Sequence, residues 1–202
     1  MQLSLKPFQT SKSIFVRIPK WAGRSVSISL YDCLVGSHLT LKDYQIVFDE
    51  DGFKNYFKFT LVRNPWDRLV SAYLFLKEGG VTGFDKYFSK KYLHNVSDFE
   101  DFVKNHLSKN EFLAFTHFRP QTDFLLINGE LALDFVGKFE NIEEDFEVIK
   151  RQLNMPPHIE LTKKNVTGSR TKKDYRDYYT EEMIGIVKKV YQKDIELFDY
   201  QF

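Results

Sequence analysis

The chain has 202 residues and a mass of 24.0 kDa, enough for one domain that buries a core without disulfides or metal ions. Its 29 Lys and Arg residues nearly balance its 28 Asp and Glu residues, which excludes a bulk charge that would attract nucleic acid or a membrane. The opening MQLSLKPFQTSKS lacks the apolar run of a signal peptide, and the one cysteine, Cys33, cannot form an intrachain disulfide. We therefore expect a single domain over residues 1–202, cytoplasmic and without a transmembrane segment.

The first half of the chain predicts a strand, a loop and a helix. Residues 13–18 (SIFVRI) are mostly β-branched or aromatic and end at Pro19, which is typical of a short strand. Apolar residues then recur at i, i+4, i+7 and i+8 from Val26, which predicts a helix that runs until Gly36. A short helix is predicted at 41–48.

A second strand and a capped helix follow. Residues 55–62 (NYFKFTLV) predict a buried strand, and Asn64 and Pro65 are favourable at the start of a helix that runs to about residue 77. The remaining predicted elements are a helix at 98–107, a hairpin at 124–139 with a tight Asn128-Gly129 turn, a helix at 142–153 and a long amphipathic helix at 181–198. Strands that alternate with helices predict an α/β fold, a P-loop-like sandwich whose central, mostly parallel sheet is flanked by helices.

Residues 19–25 (PKWAGRS) lie between the first strand and the first helix, where backbone N–H groups and the helix dipole can bind an anion. Lys20 and Arg24 add positive charge. Gly23 lets the backbone approach a ligand, and Ser25 offers a hydroxyl. The loop differs from the ATP-binding pattern GxxxxGK[ST], because its lysine precedes the glycine. It predicts an anion site, with an ordinary basic turn as the alternative.

Residues 63–73 (RNPWDRLVSAY) repeat this arrangement after the second strand. Arg63 ends the strand, and Ser71 follows within two helical turns. Because neighbouring parallel strands end at one edge of a sheet, both motifs would line one crevice, which suits a nucleotide with two phosphate groups. The alternative is that Arg63 and Arg68 pair with carboxylates such as Asp67 and have only a structural role.

Together these motifs resemble those of the sulfotransferases that use 3′-phosphoadenosine 5′-phosphosulfate (PAPS), in particular the bacterial and Golgi type 2 carbohydrate sulfotransferases, whose loops read PKxAGxS and RNPxxRLVSAY. Residues 117–121 (HFRPQ), 134–145 (DFVGKFENIEED) and 191–202 (YQKDIELFDYQF) also resemble that family, so the resemblance covers most of the chain. It implies an enzyme that moves the sulfuryl group of PAPS, its co-substrate, to an acceptor hydroxyl, and it favours a carbohydrate acceptor.

The resemblance also implies roles for individual residues. They are Lys20, Ala22, Gly23, Arg24 and Ser25 for the 5′-phosphosulfate, Arg63 and Ser71 for the 3′-phosphate, and Ser169 and Arg170, in the basic stretch 165–173 (NVTGSRTKK), for the 3′-phosphate or adenosine. The chain departs from the family pattern at Arg24, where the family has threonine.

Sulfuryl transfer resembles phosphoryl transfer, in which catalysis is mainly positioning and charge stabilisation. Lys20 can neutralise charge on the leaving phosphate oxygen, and His38 is the first candidate for the base, because the family's candidate base occupies a similar place. An unbroken helix over 24–35 would carry the chain roughly 18 Å from the loop. His38 can therefore act only if that helix is shorter and the chain returns. His117 is the second candidate, and with Arg119 it suits acceptor binding.

Two other functions remain open at this point. One is a P-loop kinase of small molecules that uses ATP and Mg²⁺, which the lysine order disfavours. The other is a module that binds a nucleotide or glycan without turnover, which the presence of Lys20, Arg63 and Ser71 disfavours. No spacing of Cys, His and carboxylates indicates a metal, so we predict no metal requirement and no nucleic-acid partner. No motif identifies the acceptor, which is expected to be a carbohydrate or a small molecule.

Overall fold

The computed structural model of the protein describes residues 5–20, 23–162 and 173–202. These residues fall into two units. The first lies within Met1–Arg63 and Gln121–Gly168, and the second within Asn64–Pro120 and Ser169–Phe202. No helix in the described ranges has the length and apolar character needed to cross a membrane.

Helices provide most of the regular structure. In chain order they are α1 (Lys6–Ser11), α2 (Gly23–Tyr31), α3 (Leu41–Val47), α4 (Glu50–Asn55), α5 (Pro65–Lys77), α6 (Gly83–Phe88), α7 (Phe99–Asp101), α8 (Asn110–Leu113), α9 (Thr122–Leu125), α10 (Ile142–Gln152), α11 (Glu181–Val190) and α12 (Gln192–Leu197). Turns of π-helix follow α6 at Ser89–Leu93 and α7 at Phe102–His106, and 3-10 turns lie at Phe139–Asn141 and Tyr175–Tyr178.

A parallel sheet forms the centre of the first unit. The strands are β1 (Ser13–Phe15), β2 (Phe57–Val62), β3 (Leu126–Ile127), β4 (Glu130–Leu131) and β5 (Phe135–Lys138). The sheet has the order β1-β2-β5 with both pairs parallel, and β3 and β4 form a separate antiparallel pair. Phe15 is in register with Phe59, and their buried rings stack with centroids 4.8 Å apart. The prediction of an α/β fold around a parallel sheet flanked by helices is confirmed.

Side-chain caps explain where several helices begin. Thr40 and Asp43 form a reciprocal capping box at the start of α3. Asn64 accepts a hydrogen bond from the backbone N–H of Trp66, and Pro65 occupies the first turn of α5. The predicted boundaries of α5 are confirmed.

Helix α2 ends at Tyr31, five residues before the glycine at which the apolar pattern stops. The φ of Asp32 is 54°, a left-handed value that an α-helix does not contain, so the helix ends at the residue before it. The Ser27 hydroxyl then donates to the carbonyl of Cys33 and accepts from the N–H of Val35, at 3.0 and 2.8 Å. The chain therefore turns back along the helix, and the shorter helix that a role for His38 requires is present.

The predicted hairpin is only partly correct. Asn128 and Gly129 have φ values of 53° and 88° and make the tight turn between β3 and β4. Phe124, however, lies in helix α9 and is buried there. The later half of the predicted second arm is β5, which pairs in parallel with β2 because the buried face of the sheet, and not the local turn, sets its register.

Aromatic side chains form much of the core of the second unit. Phe88 stacks on Phe115 with centroids 3.7 Å apart, and Tyr73 stacks on Phe102 at 5.1 Å. The single long helix predicted at 181–198 is wrong, because the chain leaves helical geometry at Tyr191. That tyrosine has a φ of −107° and a ψ of 28°, and it is buried with its hydroxyl donating to the carbonyl of Phe118 at 2.6 Å.

Candidate active site

The first predicted motif begins at the carboxyl end of β1. The backbone of Val16 still bonds to Phe59 of β2, and the buried Pro19 then leads into the loop. Lys20 has a φ of 75°, a left-handed conformation that is unfavourable for a lysine. Its carbonyl accepts a hydrogen bond from Nη1 of Arg63 at 2.7 Å. This bond joins the ends of two neighbouring parallel strands and holds the unusual backbone in place.

Arg63 is held on three sides. The side-chain amide of Gln121 accepts from the backbone N–H of Arg63 at 3.0 Å and donates to its carbonyl at 2.9 Å. The guanidinium lies over the ring of Phe139, 4.5 Å from the centroid. Gln121 is fully buried. In the sequence, Gln121 stands out only as part of residues 117–121, which resemble the sulfotransferase family. Its role in positioning Arg63 depends on a contact between residues 58 positions apart, which no local pattern reveals.

Helix α2 begins directly after the loop, as the strand-loop-helix prediction requires. Gly23 and Ser25 are buried in its first turn, whereas Arg24 is exposed. The first N–H groups of a helix and the positive end of its dipole favour an anion at this position. Three predicted site residues, Ala22, Ser169 and Arg170, lie outside the described residues.

His38 lies close to the loop. Its Nδ1 is 2.8 Å from the carbonyl oxygen of Arg17, two residues before Pro19. Because a carbonyl oxygen can only accept, Nδ1 carries the proton, and in the neutral ring the lone pair is on Nε2. This is the tautomer that a general base needs.

Arg17 is a residue that the sequence analysis missed. Burial lowers the pKa of its guanidinium, Tyr44 opposes this shift, and the charge of Arg24 adds to it. Its Nε is buried and has no hydrogen-bond partner in the described part of the chain. A charged residue inside the apolar run SIFVRI is the signal that could have identified it, since buried cations need a partner.

The second histidine candidate is engaged within the second unit. Nε2 of His117 is 3.0 Å from Oδ1 of Asp85, and the ring centroid of His117 lies 5.1 Å from that of Phe75 and 5.6 Å from that of Phe115. Burial by itself would raise the pKa of Asp85, but hydrogen bonds from His117 and Thr82 hold it well below its usual range. This pair orients the imidazole of His117.

Two further predicted residues, Arg119 and Ser71, belong to the second unit. Arg119 accepts through its carbonyl a hydrogen bond from the buried guanidinium of Arg68 at 2.9 Å. Ser71 is half-buried on α5. Arg63 belongs to the first unit and Ser71 to the second, so their joint binding of a 3′-phosphate stays a prediction. Over residues 5–20, 23–162 and 173–202, no three His, Cys, Asp or Glu side chains form a group that could hold a metal ion.

Comparison with known proteins identifies the family. The model of the sulfotransferase family matches residues 10–201. A protein of Archaeoglobus fulgidus described as uncharacterized is 34% identical over 109 residues, which are 54% of this chain and 77% of that protein. Carbohydrate sulfotransferase 11 of Rattus norvegicus is 27% identical over 187 residues, which are 80% of this chain and 51% of the relative.

Carbohydrate sulfotransferase 12 of Xenopus laevis is 28% identical over 173 residues, which are 73% of this chain and 40% of the relative. This chain therefore spans about half or less of the length of these two named sulfotransferases. No solved structure matches the chain at comparable significance. Because the family model covers nearly the whole sequence, the protein belongs to the sulfotransferase family.

Proposed function

We propose that this protein transfers the sulfuryl group of PAPS to a hydroxyl group of a carbohydrate. Family membership supports a sulfotransferase, and the names of the carbohydrate sulfotransferases that it resembles support a sugar acceptor. The observation that carries the proposal is the hydrogen bond from Arg63 to the carbonyl of Lys20, which joins the two anion-binding motifs at one edge of the sheet.

Lys20 and the start of α2 bind the 5′-phosphosulfate in this proposal. The bound nucleotide supplies an activated sulfuryl group and a phosphate leaving group. Lys20 neutralises the charge that develops on the leaving oxygen, and the N–H groups of Gly23 and Ser25 add partial positive charge without reorganisation. Arg63 keeps the Lys20 backbone in place through its hydrogen bond.

His38 removes the proton of the acceptor hydroxyl. The carbonyl of Arg17 fixes the protonated nitrogen of the ring, so Nε2 is the basic atom. His117 and Arg119 bind the acceptor in this proposal. His117 does not remove the proton, because its Nε2 already contacts the carboxylate of Asp85.

The test is transfer of labelled sulfate from PAPS to a panel of saccharides, aryl alcohols and peptides, with ATP and Mg²⁺ as the comparison donor. We expect label in a saccharide and a loss of about 10²-fold or more in turnover for Lys20→Ala. Lys12→Ala is the matched control, since Lys12 is also a left-handed lysine of the first unit but is exposed at the end of α1. Phosphoryl transfer from ATP, or unchanged turnover in Lys20→Ala, contradicts the proposal.

A further inference from the structure

An exposed aromatic row lies on the outer face of α6 and the turns beside it. Among the described residues, three of the seven large hydrophobic side chains that stay exposed fall within seven positions: Val81 at 76%, Phe84 at 82% and Tyr87 at 60%. Phe84 and Tyr87 are three residues apart and share a helix face. Lys91 follows one turn later, and its Nζ donates to the hydroxyl of Tyr87 at 3.1 Å. We call Val81, Phe84, Tyr87 and Lys91 the α6 row.

The α6 row combines aromatic faces with positive charge. Nζ of Lys91 lies 5.4 Å from the ring centroid of Tyr87 and 5.0 Å from that of Tyr92. Lys86 and Lys90 are also exposed. Residues 81–93 contain one acidic side chain, that of Asp85, and it is buried. The charged side chains that this segment presents to solvent are therefore all basic.

The row is linked to the predicted acceptor residue His117. Asp85 lies between Phe84 and Lys86 in the sequence, and its buried carboxylate contacts Nε2 of His117 and accepts from the N–H groups of Val81 and Thr82. One carboxylate thus fixes both the start of α6 and the histidine. The backbone that carries Phe84 and Tyr87 is thus joined to His117 through Asp85.

We propose that the α6 row binds an anionic oligosaccharide. Pyranose rings present apolar C–H faces that pack on Phe84 and Tyr87, and the carboxylate or sulfate groups of the sugars pair with Lys91 and the neighbouring lysines. The assignment of this glycan as the enzyme's acceptor rests on the proposed function. Binding itself requires no transfer and can be measured without the nucleotide.

A membrane surface suits the row less well. An interfacial helix buries a whole apolar face about 5 to 10 Å deep in the boundary between lipid headgroups and acyl chains. Helix α6 has six residues, and the hydroxyl of Tyr87 is held by Lys91 at the surface. A short row of flat faces with adjacent cations fits separate sugar rings better than a continuous apolar phase.

The test measures dissociation constants for hexasaccharides of hyaluronan, chondroitin, heparosan and polygalacturonate, with neutral chitohexaose and maltohexaose for comparison. Wild type is compared with Phe84→Ala, Tyr87→Ala and Lys91→Gln, after thermal unfolding has shown that each variant folds. Ile46→Ala is the matched control, since Ile46 is 76% exposed on α3. Binding to vesicles of phosphatidylserine and transfer of sulfate from PAPS to the same hexasaccharides are measured in parallel.

We expect wild type to bind at least one anionic hexasaccharide about tenfold or more tightly than the neutral ones. Phe84→Ala and Lys91→Gln should each weaken that binding by about tenfold, and Ile46→Ala should leave it unchanged. Equal binding of neutral and anionic glycans, or variants that bind like wild type, overturns the proposal. Row-dependent vesicle binding without glycan binding overturns it in favour of a membrane. Absence of transfer to every hexasaccharide, with row-dependent glycan binding intact, counts against the proposed function alone.

Discussion

At the residue scale, the candidate active site is held together by an arginine side chain that donates a hydrogen bond to a backbone carbonyl. Arg63 donates to the carbonyl of Lys20, and its own backbone is bracketed by the amide of Gln121. The left-handed backbone conformation of Lys20 is energetically unfavourable for a lysine. Such a conformation persists only where contacts with the surrounding structure stabilise it. Arg63 therefore stabilises the conformation of the loop and also adds a positive charge beside it.

The substitution Arg63→Met tests this positioning role. Hydrogen bonds to charged groups contribute about 1.5 to 3 kcal/mol, so we expect kcat/KM for PAPS to fall by about 10- to 100-fold. Arg63→Lys should recover little, because an ammonium lacks the planar fork of a guanidinium. Arg151→Met is the control, because Arg151 is exposed on α10. A normal KM for PAPS in Arg63→Met would show that the loop keeps its shape without this bond.

We expect substitutions of His38 and His117 to have different kinetic effects. We expect His38→Asn to lower kcat by about 10²- to 10⁴-fold while binding of the desulfated nucleotide is kept, because only the proton acceptor is lost. The rise of kcat with pH that a neutral imidazole base produces should disappear in this variant. His117→Asn should raise KM for the acceptor and keep the pH profile. Steady-state kinetics from pH 5 to 9 separate the two residues, and a normal pH profile in His38→Asn would exclude it as the base.

Asp85 predicts a pH-dependent contribution to stability. Its pKa is lower in the folded protein than in the unfolded chain, because hydrogen bonds from His117 and Thr82 outweigh the effect of burial. Such a carboxylate stabilises the fold fully above its unfolded pKa of about 3.9, and the contribution is lost as the pH falls through the folded value. Urea unfolding should show Asp85→Asn less stable than wild type at pH 7 and a smaller difference at pH 3. An equal difference at both values would contradict the ionised state.

At the scale of the elements, the early end of α2 is what brings His38 to the loop. The helix stops at Tyr31, and the side chain of Ser27 bonds to the backbone of Cys33 and Val35 as the chain returns. His38 then reaches the carbonyl of Arg17 at the end of β1. One serine thus connects a helix boundary to the position of the proposed base.

The substitution Ser27→Ala should weaken this return. The buried N–H of Val35 would lose its partner, which costs about 1 to 3 kcal/mol. We expect lower stability and a lower kcat, because His38 is positioned by the same segment. Ser29→Ala is the control: Ser29 bonds to Thr162 from the same helix but holds none of the residues that lead to His38. If both variants lose stability and keep kcat, the segment does not position His38.

At the scale of the whole molecule, the protein consists of two units, and the chain passes from one to the other after Arg63, after Pro120 and after Gly168. The prediction of one functional domain and that of a cytoplasmic location both stay predictions. The family assignment covers residues 10–201 and so includes residues of both units. We expect a nucleotide that binds the native state to raise the unfolding temperature of the protein.

Thermal unfolding with 3′-phosphoadenosine 5′-phosphate measures this linkage. At a ligand concentration of 100 Kd the native state gains about 2.7 kcal/mol, which for a chain of this size raises Tm by about 5 to 10 °C. ATP with Mg²⁺ should give a smaller shift, and Lys20→Ala should lose most of the shift with the desulfated nucleotide. An equal shift with both nucleotides would favour a general anion site over a PAPS site.

The features that follow from short-range chemistry could be predicted from the sequence. The strand at β2, the Asn64 cap of α5 and the Asn128-Gly129 turn depend on neighbours within a few residues, and their patterns were sufficient. The loop after β1 could be predicted for the same reason, because strand, lysine, glycine and helix are adjacent in the chain. The amphipathic pattern at 181–198 could not show the break at Tyr191, a buried residue whose hydroxyl bonds to the distant carbonyl of Phe118.

The sequence by itself determined the α/β class, the strand-loop-helix motif with Lys20, the second motif with Arg63 and the resemblance to a sulfotransferase. Only the tertiary structure decided that Arg63 bonds to Lys20, that Gln121 brackets Arg63 and that His38 returns to the carbonyl of Arg17. These contacts join residues 21 to 58 positions apart in the chain. Periodicity and propensity describe only neighbours along the chain, whereas such pairs meet because packing of the parallel sheet brings the ends of its strands together.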